Sequence, residues 1–203
     1  MPFINYANQE VNCKLVYCGP GMCGKTTNIQ QIYRSIKPDF RGRLVSLYTE
    51  AERTVFFDFL PVDLGLVCGF RVRFHLYSVP GQVFHAATRR LVFRGVDAVV
   101  FVADSQRSRM DANYEALRDL QENLGHYGVE LTRLPYALQL NKRDLHDIHN
   151  VEFLSRELRL VGEPVYQAIA AEGEGVRETL KSVARQLLKR LEHELLPASV
   201  PRA

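Results

Sequence analysis

The chain has 203 residues, with 26 Lys and Arg against 23 Asp and Glu, and 46% of its residues are hydrophobic. That apolar content excludes a mainly disordered chain and suits one buried core, and a net charge of +3 falls well short of a nucleic-acid-binding signature. The start, MPFINYANQE, lacks the charged and then apolar order of a secretory leader, and no apolar run is long enough to span a bilayer. Position 2 is Pro rather than Gly and the chain ends without a Cys, so no lipid acceptor is in place. We therefore expect a cytoplasmic protein with no direct membrane anchor and no nucleic-acid partner. Cys13, Cys18, Cys23 and Cys68 form no C-x-x-C pair and are expected as free thiols.

Strand and helix alternate along the chain. Val11–Cys18 is a β-prone run ending at Gly19, and a helical stretch over Lys25–Ser35 follows. Arg43–Tyr48 and Val55–Leu60 (VFFDFL) are β-prone, but Phe56, Phe57 and Phe59 do not sort onto one face, which leaves the register of that element weakly specified. Phe70, Val72, Phe74 and Leu76 alternate with polar residues as a period-two strand. Ala98–Val102 (AVVFV) is apolar on every side, as a central strand covered on both faces requires. A helix over Asn113–Leu124, strands at Pro135–Leu140 and Val165–Ile169, and a final helix with Val176, Leu180, Ala184, Leu187, Leu191 and Leu195 on one stripe complete the pattern. These alternations predict an α/β fold, a mostly parallel six-stranded sheet with helices on both faces. No repeat or linker divides the chain, so we expect one domain over residues 1–196 and a flexible tail over 197–203.

The chemistry concentrates where the first long strand meets the first helix. Gly19-Pro20-Gly21-Met22-Cys23-Gly24-Lys25-Thr26 matches G-x-x-x-x-G-K-[ST] in full, and Thr27 follows it. Glycines let the backbone curl so that successive N–H groups face phosphate oxygens, at a helix end whose dipole also favours an anion. Lys25 would reach the β- and γ-phosphates, and the Thr26 hydroxyl would bind Mg²⁺. The motif specifies a nucleoside triphosphate and is silent about the base.

Asn141-Lys142-Arg143-Asp144 closes the strand that begins at Pro135. A carboxylate there accepts two hydrogen bonds from guanine, whereas adenine offers no matching donor pair, so a buried Asp144 would reject adenine. Asn141 would tie this loop to the phosphate loop, and the Lys142 stem would lie along the base. After the strand that starts at Phe70 come Ser78-Val79-Pro80-Gly81-Gln82: the Gly81 N–H suits the γ-phosphate, and the Gln82 side chain could orient an attacking water. Thr54 is the candidate for a second hydroxyl on Mg²⁺, and Arg53 beside it could act as an arginine supplied in cis. Phe84, His85 and Arg89 are candidates for partner contacts, and core packing accounts equally well for Phe84.

GPGMCGKT, Thr54, VPGQ, NKRD and Ala170 occur in the order found in the Ras-like small GTPases, and the chain resembles that superfamily over nearly its whole length. The segments FINYANQEVNCKLVYCGPGMCGKTTN, ERTVFFDFLP, GFRVRFHLYSVPGQVF and DAVVFVADSQ resemble its bacterial gliding-motility branch, the MglA-type GTPases. The resemblance implies a GTP-operated polarity switch, turned off by a roadblock-fold GTPase-activating protein of the MglB type and acting on motility or polarity effectors. It also implies that Ala170 donates its backbone N–H to the base. Ser78 departs from the superfamily pattern, which has Asp at this position to hold a Mg²⁺-bound water; the hydroxyl brings no charge, so weaker Mg²⁺ retention is expected. Two alternatives stay open at this stage: a GTP-bound scaffold that barely hydrolyses, and an ATP-dependent enzyme on the same phosphate loop.

Overall fold

A computed structural model describes residues 2–46, 57–79 and 86–195, with residues 86–89 through their backbone only. In chain order its strands are β1 (Phe3–Asn5), β2 (Glu10–Cys18), β3 (Val45–Ser46), β4 (Asp58–Val67), β5 (Phe70–Ser78), β6 (Ala98–Asp104), β7 (Tyr136–Asn141) and β8 (Val165–Gln167). The helices are α1 (Lys25–Ser35), α2 (Ala86–Phe93), α3 (Met110–His126), α4 (Val151–Leu158) and α5 (Val176–Leu195).

The eight strands form one sheet in the order β3-β4-β5-β2-β6-β7-β8, with β1 paired antiparallel to the start of β2. β5, β2, β6, β7 and β8 run parallel, and β4 and β3 add an antiparallel edge. The α/β architecture is the one the alternation predicts; the sheet is wider than six strands because β1 and β3, of three and two residues, are too short to leave a period in the sequence. α2 and α4, of eight residues each, escaped for the same reason.

Each face of the sheet has its own core. On one side Ile29 and Ile32 of α1 and Val183, Leu187 and Leu191 of α5 meet Leu15, Leu60, Phe74 and Val100. On the other, Phe93 of α2, Leu117 and Leu120 of α3 and Leu154 of α4 meet Val16, Phe101 and Leu138. All seven residues of β6 are buried, the outcome its apolar run predicts. In α5 the fully buried line is Val176, Thr179, Val183, Leu187 and Leu191, while Leu180, Ala184 and Leu195 pack at its margin. The buried face is thus turned from the expected stripe because Thr179 goes inward to meet a polar partner described below.

β4 and the residue before it place two of the three ambiguous phenylalanines. Asp58, Leu60 and Val62 alternate onto the buried α1 side while Phe57 and Phe59 lie on the other, where Phe59 packs 4.9 Å from the Tyr77 ring. The pattern was obscured because a carboxylate occupies one of the inward positions. Residues 47–56, including part of each β-prone segment, and the expected tail over 197–203 lie outside the described residues.

The chain visits β5 on one side of β2 and then crosses to β6 on the other. At such a reversal the loops leaving neighbouring strands diverge and open a crevice at the carboxyl ends. Cys18, Ser78, Asp104 and Asn141, the last residues of β2, β5, β6 and β7, all deliver their following loops to that edge. Leu187 is fully buried between α5 and the sheet, so Leu187→Ala should cost about 2–5 kcal/mol in urea unfolding; a loss of under about 1 kcal/mol would mean that α5 does not carry the core.

Candidate nucleotide site

The loop over residues 19–24 joins β2 to α1 and owes its shape to two glycines. Gly19 has φ +136°, and a Cβ there would collide with the Val102 carbonyl; Gly24 has φ +106°, and a Cβ there would collide with the Asn141 amide. Both positions combine a conformation L-residues disfavour with a close approach no side chain allows. No side chain caps the N-terminus of α1, and its first turn holds no acidic residue. Its N–H groups therefore face the loop's interior with the positive end of the helix dipole.

Lys25 is 7% exposed, and its ammonium donates to the carbonyls of Pro20 (2.6 Å) and Gly19 (3.0 Å). Pro20 and Cys23 are buried in the loop, Gly21 is half-buried, and Met22 projects into solvent. Burial pushes the Cys23 thiol up, against the opposing pull of Lys25. Cys18 and Cys13 are raised by burial too, so these three are packing thiols rather than nucleophiles. All four cysteines are free, with Cys68 exposed.

Asn141 is 2% exposed and joins three loops. Its amide donates to the Cys23 carbonyl at 2.7 Å, and its Oδ1 accepts the Ala170 N–H at 2.9 Å. The phosphate loop, the NKRD turn and the loop after β8 therefore meet around one side chain. Lys142 has φ +64°, and its ammonium reaches Asp104 Oδ2 (2.6 Å) and Gln106 Oε1 (3.3 Å), which stretches its stem along the crevice wall. Asp144 differs from expectation: it is exposed, on the turn that follows β7, rather than buried.

Three features of the crevice had gone unremarked in the sequence. Arg109, just before α3, donates to the Gly21 carbonyl at 2.9 Å and lies 3.9 Å from buried Asp104, bracing the phosphate loop from the β6 side. Below the loop, the Gly24 carbonyl accepts from Asn28, whose Oδ1 accepts from Gln139, which also donates to Thr179 on α5. Asp58 is the third. It is 1% exposed, and its carboxylate accepts hydroxyl hydrogen bonds from Thr26 (2.6 Å), Ser78 (2.6 Å) and Ser46 (2.7 Å). An acid in phase with Leu60 and Val62 on an apolar strand face was the signal that could have found it. Thr27 is half-buried in the first turn of α1. Arg53, Thr54, Pro80, Gly81, Gln82, Phe84 and His85 lie outside the described residues, as does the side chain of Arg89.

The arrangement suits an elongated anionic ligand. One end has an ammonium and uncapped helix N–H groups, a hydroxyl and a carboxylate sit beside them, and a lysine stem and a second carboxylate mark the far end. The oxygen donors Thr26 and Asp58 suit a hard divalent cation such as Mg²⁺, which prefers oxygen ligands and is completed by phosphate and water.

No protein-family model matches the chain. It is 54% identical over 191 residues to the mutual gliding-motility protein MglA of Myxococcus xanthus, covering 94% of this chain and 98% of that protein. It is also 35% identical over 92 residues to the GTPase Obg of Caldicellulosiruptor bescii and 34% identical to that of Caldicellulosiruptor saccharolyticus. Each of those matches covers 45% of this chain and 21% of the Obg protein. A glycine-bent phosphate loop braced by Asn141 at a strand-order reversal, together with likeness to MglA over almost the full length of both chains, makes this protein a member of the MglA family of Ras-like small GTPases.

Proposed function

We propose that the chain is a GTP-hydrolysing switch that regulates gliding motility or cell polarity. The observation that carries the reading is the pair of hydrogen bonds by which Asn141 donates to the Cys23 carbonyl and accepts the Ala170 N–H, which ties the glycine loop to the turns after β7 and β8 in one crevice. GTP would lie with its phosphates on the loop from Gly19 to Gly24, Lys25 beside the β- and γ-phosphates, and Thr26 and Thr27 at the helix start. Guanine would rest along Lys142, its N1–H and amine donating to Asp144 and its carbonyl competing with Asn141 Oδ1 for the Ala170 N–H. Bound Mg²⁺ would neutralise charge on the phosphate oxygens. Thr26 and Thr54 are the hydroxyls assigned to it.

For hydrolysis, Gln82 orients the attacking water, the N–H of Gly81 beside Pro80 contacts the γ-phosphate, and Arg53 neutralises charge as the bond to the leaving group breaks. Loss of the γ-phosphate would release Thr54 and Gly81 and so alter the surface offered to effectors. Turnover would be slow until an MglB-like roadblock-fold activating protein engages. With no helix among the described residues long and apolar enough to cross a membrane, we assign the protein to the cytoplasm, recruited to a cell pole through protein partners. Domain limits of 1–196 with a tail of 197–203 belong to the same proposal.

Single-turnover hydrolysis, with and without an MglB-like protein, tests this directly. Stimulated turnover should appear, and Gln82→Leu and Arg53→Ala should each lower it, the latter by about 10³-fold if its guanidinium reaches the phosphate. Unchanged GTP under both conditions would overturn the hydrolysis reading. The base reading has its own check, because replacing a carboxylate by an amide exchanges an acceptor for a donor. Asp144→Asn should weaken GTP binding by about 1–3 kcal/mol and favour xanthosine triphosphate, whose C2 carbonyl accepts where guanine donates; unchanged preference in competitive binding would remove Asp144 from base recognition.

A further inference from the structure

Asp58 is in the wrong place for a packing residue and the right place for an ion. It lies directly across the antiparallel ladder from Ser78 and across from Ser46 on its other side. One carboxylate oxygen accepts from Thr26 and Ser78, and the other accepts from Ser46. Ser78 is locked in turn, because its hydroxyl accepts the Asp58 N–H at 3.1 Å. Among the described residues no ammonium or guanidinium pairs with Asp58. The nearby Lys25 ammonium is committed to the Gly19 and Pro20 carbonyls. Three neutral hydroxyls satisfy the oxygens of a buried carboxylate without balancing its charge, and a buried charge without a counter-charge is costly.

Thr26 shows which way the balance is met. Its proton points at Asp58, so the hydroxyl's lone pairs are left for another partner, the arrangement in which a hydroxyl ligates a hard cation. Ser78, at the strand end where the resemblance led us to expect an acid, gives its own proton to Asp58. The carboxylate is therefore present, moved one strand sideways from β5 to β4.

We propose that Asp58, not Ser78, is the acid of the magnesium site: a positioning residue that orients the Thr26 hydroxyl and supplies negative charge beside the ion. The proposal rests on the GTP–magnesium reading above. It replaces the expectation of weak Mg²⁺ retention drawn from Ser78, because the missing charge returns from the neighbouring strand.

The test is the rate at which a fluorescent GDP analogue leaves the intact protein across a buffered range of Mg²⁺ activities and in EDTA. Asp58→Asn should raise the Mg²⁺ needed for half-maximal retention by about tenfold or more, while leaving the rate in EDTA unchanged. Ser78→Ala should shift it less. The exchange Asp58→Ser with Ser78→Asp should recover most of the loss, since the carboxylate stays in the same cage. If Asp58→Asn does not fold, the exchange variant decides: retained Mg²⁺ dependence supports the proposal, and lost dependence overturns it. An unchanged or tightened Mg²⁺ requirement in Asp58→Asn would overturn it, the tightened case marking Asp58 as a plug on Thr26. An equal acceleration in EDTA would also overturn it, reducing Asp58 to a structural brace. If the unmutated protein held GDP without any dependence on Mg²⁺, the parent reading would fall and this proposal with it. Dependence intact in the parent and unaltered in the variant removes this proposal alone.

Discussion

Asn141 donates to the Cys23 carbonyl and accepts the Ala170 N–H from a position almost sealed from solvent, so a single side chain closes the phosphate loop against the loops after β7 and β8. The rest of the crevice is arranged around that closure. Gly24 must lack a side chain because the Asn141 amide occupies its space. Asn28, Gln139 and Thr179 carry the same loop downward to α5, which explains why a polar residue interrupts the apolar face of that helix. Buried hydrogen bonds of this kind are costly to break singly, because each lost partner strands another polar group.

Charge in the crevice is segregated along its length. The positive elements, Lys25 and the uncapped start of α1, are turned into the phosphate loop. The acids lie around them: Asp58 at the first turn of α1, Asp104 tethering Lys142, and Asp144 at the open end. Each acid meets a different kind of donor. Asp58 has only hydroxyls, Asp104 has an ammonium and a nearby guanidinium, and Asp144 faces solvent. Different surroundings set three identical side chains apart, one held by hydroxyls, one paired with cations and one open to solvent. The modest net charge of the chain fits this economy, because the phosphate-binding groups are gathered in one loop rather than spread over the surface.

Much of the fold was legible because its longer elements carry strong periods. AVVFV could only be a strand covered on both faces, and the GPGMCGKT loop between a strand and a helix admitted few other shapes. The short elements β1, β3, α2 and α4 fell below the length at which a period can be seen. β4 was obscured for a more instructive reason. Its inward face carries Asp58 among Leu60 and Val62, and a rule that puts apolar residues inside discounts a buried carboxylate held by three hydroxyls. Arg109 and Asp104 were illegible in the sequence because their meaning depends on β2, β6 and α3 coming together. Asp144 is exposed rather than buried because it stands on the turn beyond the end of β7, a placement that the strand pattern does not reveal.

We propose that this crevice selects a guanine nucleotide through the loops that carry Asp144 and Ala170 while the phosphate loop supplies the affinity. Competition against labelled GTP in the presence of Mg²⁺ tests it most directly. GDP should displace the label efficiently and ATP should fail to do so at comparable concentrations, because adenine cannot donate the hydrogen-bond pair that Asp144 accepts. Equal displacement by ATP would leave a phosphate site without a base site and overturn guanine selection by Asp144.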